Sequence, residues 1–244
     1  YSLGIDIGSS SVKVSIFDIE SGETLAAANY PETEMQMIAH NIGWAEQEPD
    51  MWWQAFKNAF HKATLNANIE TTKIEAIGIS YQMHGLVCLD KDYEPLRPSI
   101  IWCDSRAVSI GENALNDLGN DYAFNHLLNN HGKFTASKLK WVKENEPSLY
   151  EKIYKICLPG YFISLKLTGE LTTTISGLSE GIFYDFENKK ISSELLSLYG
   201  FSETIFPTIK NNFDYHGTVS NAIAEELKLS LTATVNYKAG DQPN

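Results

Sequence analysis

The chain runs to 244 residues, 43% of them apolar and 11% aromatic, with 19 Lys and Arg against 31 Asp and Glu for a formal net charge of −12. That composition supports a packed core rather than a disordered chain. Roughly 70–75% of the unfolded surface can be buried at this length, in one large domain or two small ones, without disulfide staples. The acid surplus, with no basic run and no stretch near the ~20 apolar residues of a membrane span, excludes a nucleic-acid surface, a polybasic anchor and a spanning helix.

From Tyr1 to Tyr30 the pattern is β. Leu3, Ile5 and Ile7 alternate, Gly8-Ser9-Ser10-Ser11 turns the chain, Val12, Val14 and Ile16 alternate again, and a third strand follows over Thr24–Asn29. Trp52, Ala55, Phe56, Ala59, Phe60 and Ala63 then mark one apolar stripe of a helix whose first turn is set by Pro49. Ile74–Ser80 reads as a buried strand, leading through Tyr81-Gln82-Met83-His84-Gly85 to a short strand over Leu86–Leu89. Helices are predicted over Ala136–Glu144 and over Tyr161–Leu167, the latter stopped at Thr168-Gly169. Ser220 can cap a helix carrying Ile223 and Leu227, and Val235, Tyr237 and Ala239 alternate as a last strand before Gly240-Asp241. The whole predicts an α/β fold with a mixed sheet. The chain stops at Asn244 just after that strand, so we expect the N-terminal part of a longer protein; a removed leader before Tyr1 stays open. Cys88, Cys103 and Cys157 are far apart, odd in number and without CxxC spacing, and read as reduced thiols of a cytoplasmic protein.

Four polar segments carry the candidate chemistry, each with a plainer reading beside it. Asp6 ends an apolar strand, and the Gly8–Ser11 turn after it offers backbone N–H groups and hydroxyls of the kind that hold phosphate oxygens. A carboxylate beside phosphate calls for Mg²⁺ between them; the plainer reading is a hairpin with a solvated Asp. Gln82-Met83-His84-Gly85 at a strand end suits a polyol or sugar pocket, or else is a core Met with a satisfied His. In Trp102-Cys103-Asp104-Ser105-Arg106, Trp102 can stack on a sugar, and Asp104 with Arg106 can bond hydroxyls or each other. Alternatively this is a helix start, with Trp102 buried and Asp104 or Ser105 as cap. Gly240-Asp241 presents a catalytic carboxylate or makes an ordinary turn.

The order and spacing of these segments carry more than any one of them. The chain resembles the N-terminal half of the FGGY carbohydrate kinases, and among them the xylulokinase branch. The supporting runs are Gly4-Ile5-Asp6-Ile7-Gly8-Ser9-Ser10, Trp44-Ala45-Glu46-Gln47, Trp52-Trp53, Gln82-Met83-His84-Gly85 and Arg97-Pro98. They continue through Trp102–Arg106, Lys138-Leu139-Lys140-Trp141-Val142, Leu167-Thr168-Gly169-Glu170 and Gly240-Asp241. Gln-Met-His-Gly favours the xylulokinase branch over glycerol kinase-like members, which carry an Arg-Glu pair at Met83 and His84. Three departures stand out: Ser9 where the family often has Thr, Gln242 where Asn is common, and no Trp after Gly181–Asp185, near Lys190-Ile191.

The resemblance implies a ribonuclease H-like domain of the actin/hexokinase ATPase type, enlarged by insertions and spanning residues 1–244, with a second domain beyond. The implied reaction is transfer of the γ-phosphoryl group of ATP to a ketopentose, D-xylulose to D-xylulose 5-phosphate. The alternatives are an L-ribulose-like sugar or polyol, or a non-catalytic sugar-binding or regulatory domain. By resemblance Asp241 accepts the proton, Asp6 assists Mg-ATP and holds Mg²⁺, and Gly8, Ser9 and Ser10 hold the nucleotide. Gln82, Met83, His84, Trp102 and Asp104 hold the sugar. The implied partners are a small-molecule sugar and ATP, not nucleic acid or membrane, with a homodimer left open. The fragment by itself is expected to fold and to be inactive.

Overall fold

Apolar alternation builds the first three strands as an antiparallel meander: β1 (Ser2–Ile7), β2 (Val12–Asp18) and β3 (Glu23–Tyr30). The computed structural model describes residues 1–129 and 132–242. Asn130, His131, Pro243 and the terminal Asn244 used in the sequence reading lie outside the described residues. After β4 (Glu46–Gln47) comes α1 (Pro49–Ala67), with Pro49 at its first turn and a left-handed Asn68 at its end. The predicted stripe of Trp52, Ala55, Phe56, Ala59, Phe60 and Ala63 is buried and packs α1 on β2 and β3. Next follow β5 (Ala76–Tyr81), β6 (Val87–Leu89) and β7 (Ser99–Ile100), then α2 (Val108–Leu118), α3 (Asn120–Asn125), α4 (Thr135–Asn145) and α5 (Pro147–Tyr150). The chain continues through β8 (Lys155–Cys157), α6 (Pro159–Thr168), β9 (Thr172–Thr174), α7 (Ile175–Glu180), β10 (Tyr184–Asp185), β11 (Lys190–Ile191) and α8 (Ser193–Tyr199). It closes with β12 (Thr208–Lys210), α9 (Asn221–Leu227) and β13 (Thr234–Gly240).

The main sheet is five-stranded and mixed, in the order β13-β5-β1-β2-β3, with β5 and β13 parallel to β1. Its buried face, α1, α6 and α9 make one apolar core; α2, α4, α7 and α8 enclose a second with Leu139, Val142, Leu178 and Leu195. Among the described residues no helix is long and apolar enough to cross a membrane. Cys88, Cys103 and Cys157 are free thiols, and burial pushes Cys88 up to about 12, leaving it protonated and inert.

Three local expectations are corrected. Ser220 stands at the N-cap of α9 but makes no side-chain capping bond. Neither Asp104 nor Ser105 caps α2, which starts three residues later with Ala107 at its N-cap. In β13 a bulge at Asn236 breaks the register between Val235 and Tyr237, so Tyr237 falls opposite Gly78 and Lys238 opposite Ile79. The bulge turns Lys238, not Tyr237, to the buried side, where its ammonium donates to the Thr172 carbonyl at 3.0 Å and lies 4.5 Å from the Tyr161 ring centroid.

Candidate functional site

The parallel strands end level with one another: Ile7 stands opposite Tyr81, and Tyr81 opposite Gly240. The ladder runs one residue further, with Gln82 N donating to Ile7 O at 2.7 Å and Asp241 N to Tyr81 O at 2.9 Å. Three connections therefore emerge side by side at the carboxyl edge of the sheet, where open α/β sheets form their crevices. Gln82, Met83, His84, Trp102, Asp241 and Gln242 line a cavity of about 260 Å³ there.

His84 is fixed from three sides. Its backbone is left-handed, φ 61°, and the buried Lys138 ammonium of α4 grips its carbonyl at 2.6 Å. Phe134 packs edge-on at 4.6 Å between ring centroids. Nδ1 lies 3.0 Å from the Glu180 carbonyl; a carbonyl only accepts, so Nδ1 carries the proton and Nε2 keeps its lone pair. Burial pushes the imidazole down to about 4, with Lys138 and Lys133 acting the same way, so the ring is neutral at pH 7. A neutral ring with a free Nε2 is an acceptor for a hydroxyl. Lys138 pays for this geometry in its own basicity: burial lowers it to about 7.

Gln47 ties the wall together. Its amide donates to Ser9 O at 2.7 Å, its carbonyl accepts from Trp52 of α1 at 3.0 Å, and Gln82 reaches the same oxygen at 3.4 Å. Trp102 is 45% exposed, against the buried alternative, and donates its indole N–H to Ser9 Oγ at 3.2 Å. Lys133 stands 5.9 Å over its ring.

Asp104 takes the other course that the residues left open. It does not line the cavity; it is fully buried, accepts from Ala45 N at 2.6 Å and pairs with Arg106 at 2.7 Å. Arg106 also pairs with Glu46 at 2.6 Å and lies 3.9 Å over Trp44, while Arg97 bonds the same Glu46 carboxylate. This buried network anchors the segment carrying Trp102, and the carboxylate is committed to it. Asp6 is also outside the cavity. Its side chain pairs with Lys13 at 3.1 Å and borders a groove, with Gly4, Gly78 and Tyr237, on the face of the sheet away from the apolar core. In the adjoining turn Gly8 N donates to Ser11 O at 3.1 Å, and Ser10 O accepts from Met35 N at 2.8 Å.

The structure thus joins Gln82, Met83, His84, Trp102 and Asp241 in one cavity, with Ser9 touching it through Trp102. It leaves Asp6, Gly8 and Ser10 alongside and Asp104 beneath. Sequence reasoning assigned no role to Lys138, Gln47, Phe134 or Glu180. The first two lie in runs quoted for the resemblance, which was the available signal; Glu180 has none. Among the described residues no group of three or more His, Cys, Asp or Glu is placed to hold a metal ion. Asp6 offers one carboxylate, paired with Lys13, of the oxygen-donor type that a hydrated Mg²⁺ takes, and would hold such an ion through its waters.

The chain is a mixed-sheet α/β domain with a polar crevice at the ends of its parallel strands. The family is settled by comparison: residues 1–243 match the model of the FGGY family of carbohydrate kinases, N-terminal domain, and the chain belongs to that family. It is 32% identical to the xylulose kinase of Lactococcus lactis subsp. lactis, over 100% of this chain and 48% of that enzyme. It is 31% identical to the xylulose kinase of Escherichia coli, over 99% and 48%. The crystal structure of a xylulose kinase from Brucella ovis superposes with a TM-score of 0.90 at 30% identity, covering 99% of this chain and 49% of that one. The fold is therefore the actin/hexokinase type expected. The chain spans about half the length of the relatives it matches.

Proposed function

We propose that this chain is the sugar-binding half of an ATP-dependent ketopentose kinase that converts D-xylulose to D-xylulose 5-phosphate, with a second domain completing the ATP site. The observation that carries the reading is the meeting of Met83, His84, Trp102 and Asp241 around one cavity at the sheet's carboxyl edge. In this reading His84 Nε2 accepts from a sugar hydroxyl, the exposed Trp102 ring gives it an apolar face, and Gln82 and Met83 shape the wall. Asp241 orients the acceptor hydroxyl. That oxygen attacks the γ-phosphorus, the bond to the β–γ bridging oxygen breaks, and the Asp241 carboxylate takes the proton; ADP leaves. The transition state is loose and the proton departs late, so alignment matters more than base strength. Mg²⁺, when bound, neutralises phosphate charge, and Asp6 would hold it through water. Gly8, Ser9 and Ser10 would face the phosphates. The protein acts in the cytoplasm on small molecules.

The test is ADP release by the full-length protein over a panel of D-xylulose, L-xylulose, L-ribulose, D-ribulose and glycerol. D-xylulose should give the highest kcat/KM. Preference for L-ribulose would reassign the sugar. A folded protein that no sugar stimulates, yet that binds ketose by calorimetry, would leave the non-catalytic binding role instead.

A further inference from the structure

One carboxyl group beneath the cavity takes no part in the steps above. Glu180, the last residue of α7, is 6% exposed, and neither carboxyl oxygen makes a well-formed hydrogen bond. Its position is given by what a side chain on Gly240 would strike: an added Cβ there would lie 3.0 Å from Glu180 Oε2 and 2.9 Å from Met83 Sδ. The carboxyl thus reaches the backbone just before Asp241, under the Met83 wall. Its own main-chain carbonyl is the acceptor that sets the His84 tautomer. One residue touches both sides of the crevice.

The groups facing it come from every neighbouring element. Tyr81 of β5 presents a buried hydroxyl, and Tyr161 of α6 stands behind it, edge-on at 5.3 Å. Tyr161 in turn bonds Thr174 at 2.6 Å, so buried hydroxyls line this side. Lys138 of α4, His84 of the loop and Asp241 complete the surroundings. Lys138 does not neutralise Glu180 by contact, because its ammonium is directed at the His84 carbonyl. Burial pushes the Glu180 carboxyl well above the usual carboxylate range, and the Asp241 charge pushes the same way, against Tyr81 and Lys138.

We infer that Glu180 keeps its proton beneath the crevice and is a positioning residue, an uncharged carboxyl beside Asp241 that holds the Met83 wall closed over Gly240. This rests on Asp241 being the proton acceptor. A carboxyl buried without a well-formed hydrogen bond, with a second acid next to the Gly240 backbone it reaches, favours its protonated form. When alkali removes that proton, the Tyr81 hydroxyl does not offset the burial of the new anion, which repels Asp241 and draws water under Met83. Sugar use then falls while the nucleotide side is untouched.

The experiment has two independent readouts on the full-length protein. Infrared difference spectroscopy of wild type against Glu180→Gln should show a protonated-carboxyl stretch at neutral pH that only wild type has and that alkali abolishes. In Asp241→Asn the same band should titrate at lower pH, because its negative neighbour is gone; this variant also decides the matter should Glu180→Gln fail to fold. The second readout is the shape of the pH profile of ketose kcat/KM. Wild type should fall about tenfold per pH unit beyond the Glu180 titration, and Glu180→Gln should stay flat there. A missing band, a band unmoved by Asp241→Asn, or equal alkaline limbs would overturn the assignment. If no sugar is phosphorylated, the kinase reading fails, and the infrared readout still judges the proton on Glu180.

Discussion

Gly240→Ala tests whether the crevice wall is packed as described. The new methyl would lie 2.9 Å from Met83 Sδ and 3.0 Å from Glu180 Oε2, and closer still to Met83 Cγ, where carbon contacts are at rest near 3.5–4.0 Å. Strand β13 cannot retreat to relieve this: Gly240 is in register with Tyr81, and Asp241 N is bonded to Tyr81 O. Met83 must therefore swing, from its middle rather than its tip. Overpacking of this kind costs about 1–3 kcal/mol. At roughly 2–4 °C per kcal/mol for a domain of this size, Tm should fall by about 2–12 °C. Because Met83 lines the cavity, the larger effect should be on sugar use, where a misplacement of about 1 Å costs up to about 10²-fold. Calorimetric melting and steady-state kinetics on one preparation give both numbers: ketose kcat/KM should fall about tenfold or more while the Mg-ATP KM stays within error. An unchanged Tm with an unchanged ketose KM would refute the packing of Met83 against Gly240.

Asp241→Asn should lower kcat by about 10²–10⁴-fold with little change in ketose KM or Tm, since the side chain is exposed and supports no packing; near-normal turnover by a folded variant removes it from the reaction. His84→Ala should raise the ketose KM several-fold, for a lost hydrogen bond of about 0.5–1.5 kcal/mol, and leave the ATP KM alone; lost stability with an unchanged KM would mark a merely structural histidine. Asp6→Asn breaks an exposed pair with Lys13 and should cost under about 1 kcal/mol of stability, but should weaken the Mg²⁺ dependence of kcat without affecting ketose binding by calorimetry. His216, buried between Thr172 and the Asn212 carbonyl, is held down to about 4 by burial and Lys238. Between about 4 and the unfolded value near 6.5 the unfolded chain binds the extra proton. Its contribution is therefore full above that window and lost as pH falls through it, by at most about 1.4 kcal/mol per pH unit. Melting curves of His216→Gln should lack this part of the acid slope seen in wild type.

What the sequence determined by itself is local. The alternation of β1 and β2, the stripe of α1 and the stop at Gly169 are periodicities and turn preferences written within a few residues, so the elements follow from them directly. The placing of Gln82-Met83-His84 and Asp241 at strand ends was legible for the same reason, and the family resemblance added which chemistry to expect there. Tertiary structure alone decided the partners. Whether Asp104 faces solvent or Arg106 depends on the docking of Ala45, 59 residues away, onto its carboxylate. The His84 tautomer is set by a carbonyl 96 residues along the chain. The bulge at Asn236 exchanged the faces of Tyr237 and Lys238, which simple alternation could not anticipate because one extra residue inverts everything after it. Glu180 carries no signal in the sequence; the structure makes it the last residue of α7. Only the packing of Tyr81, Met83 and Gly240 around it removes its water, and desolvation belongs to an assembled environment and not to a residue.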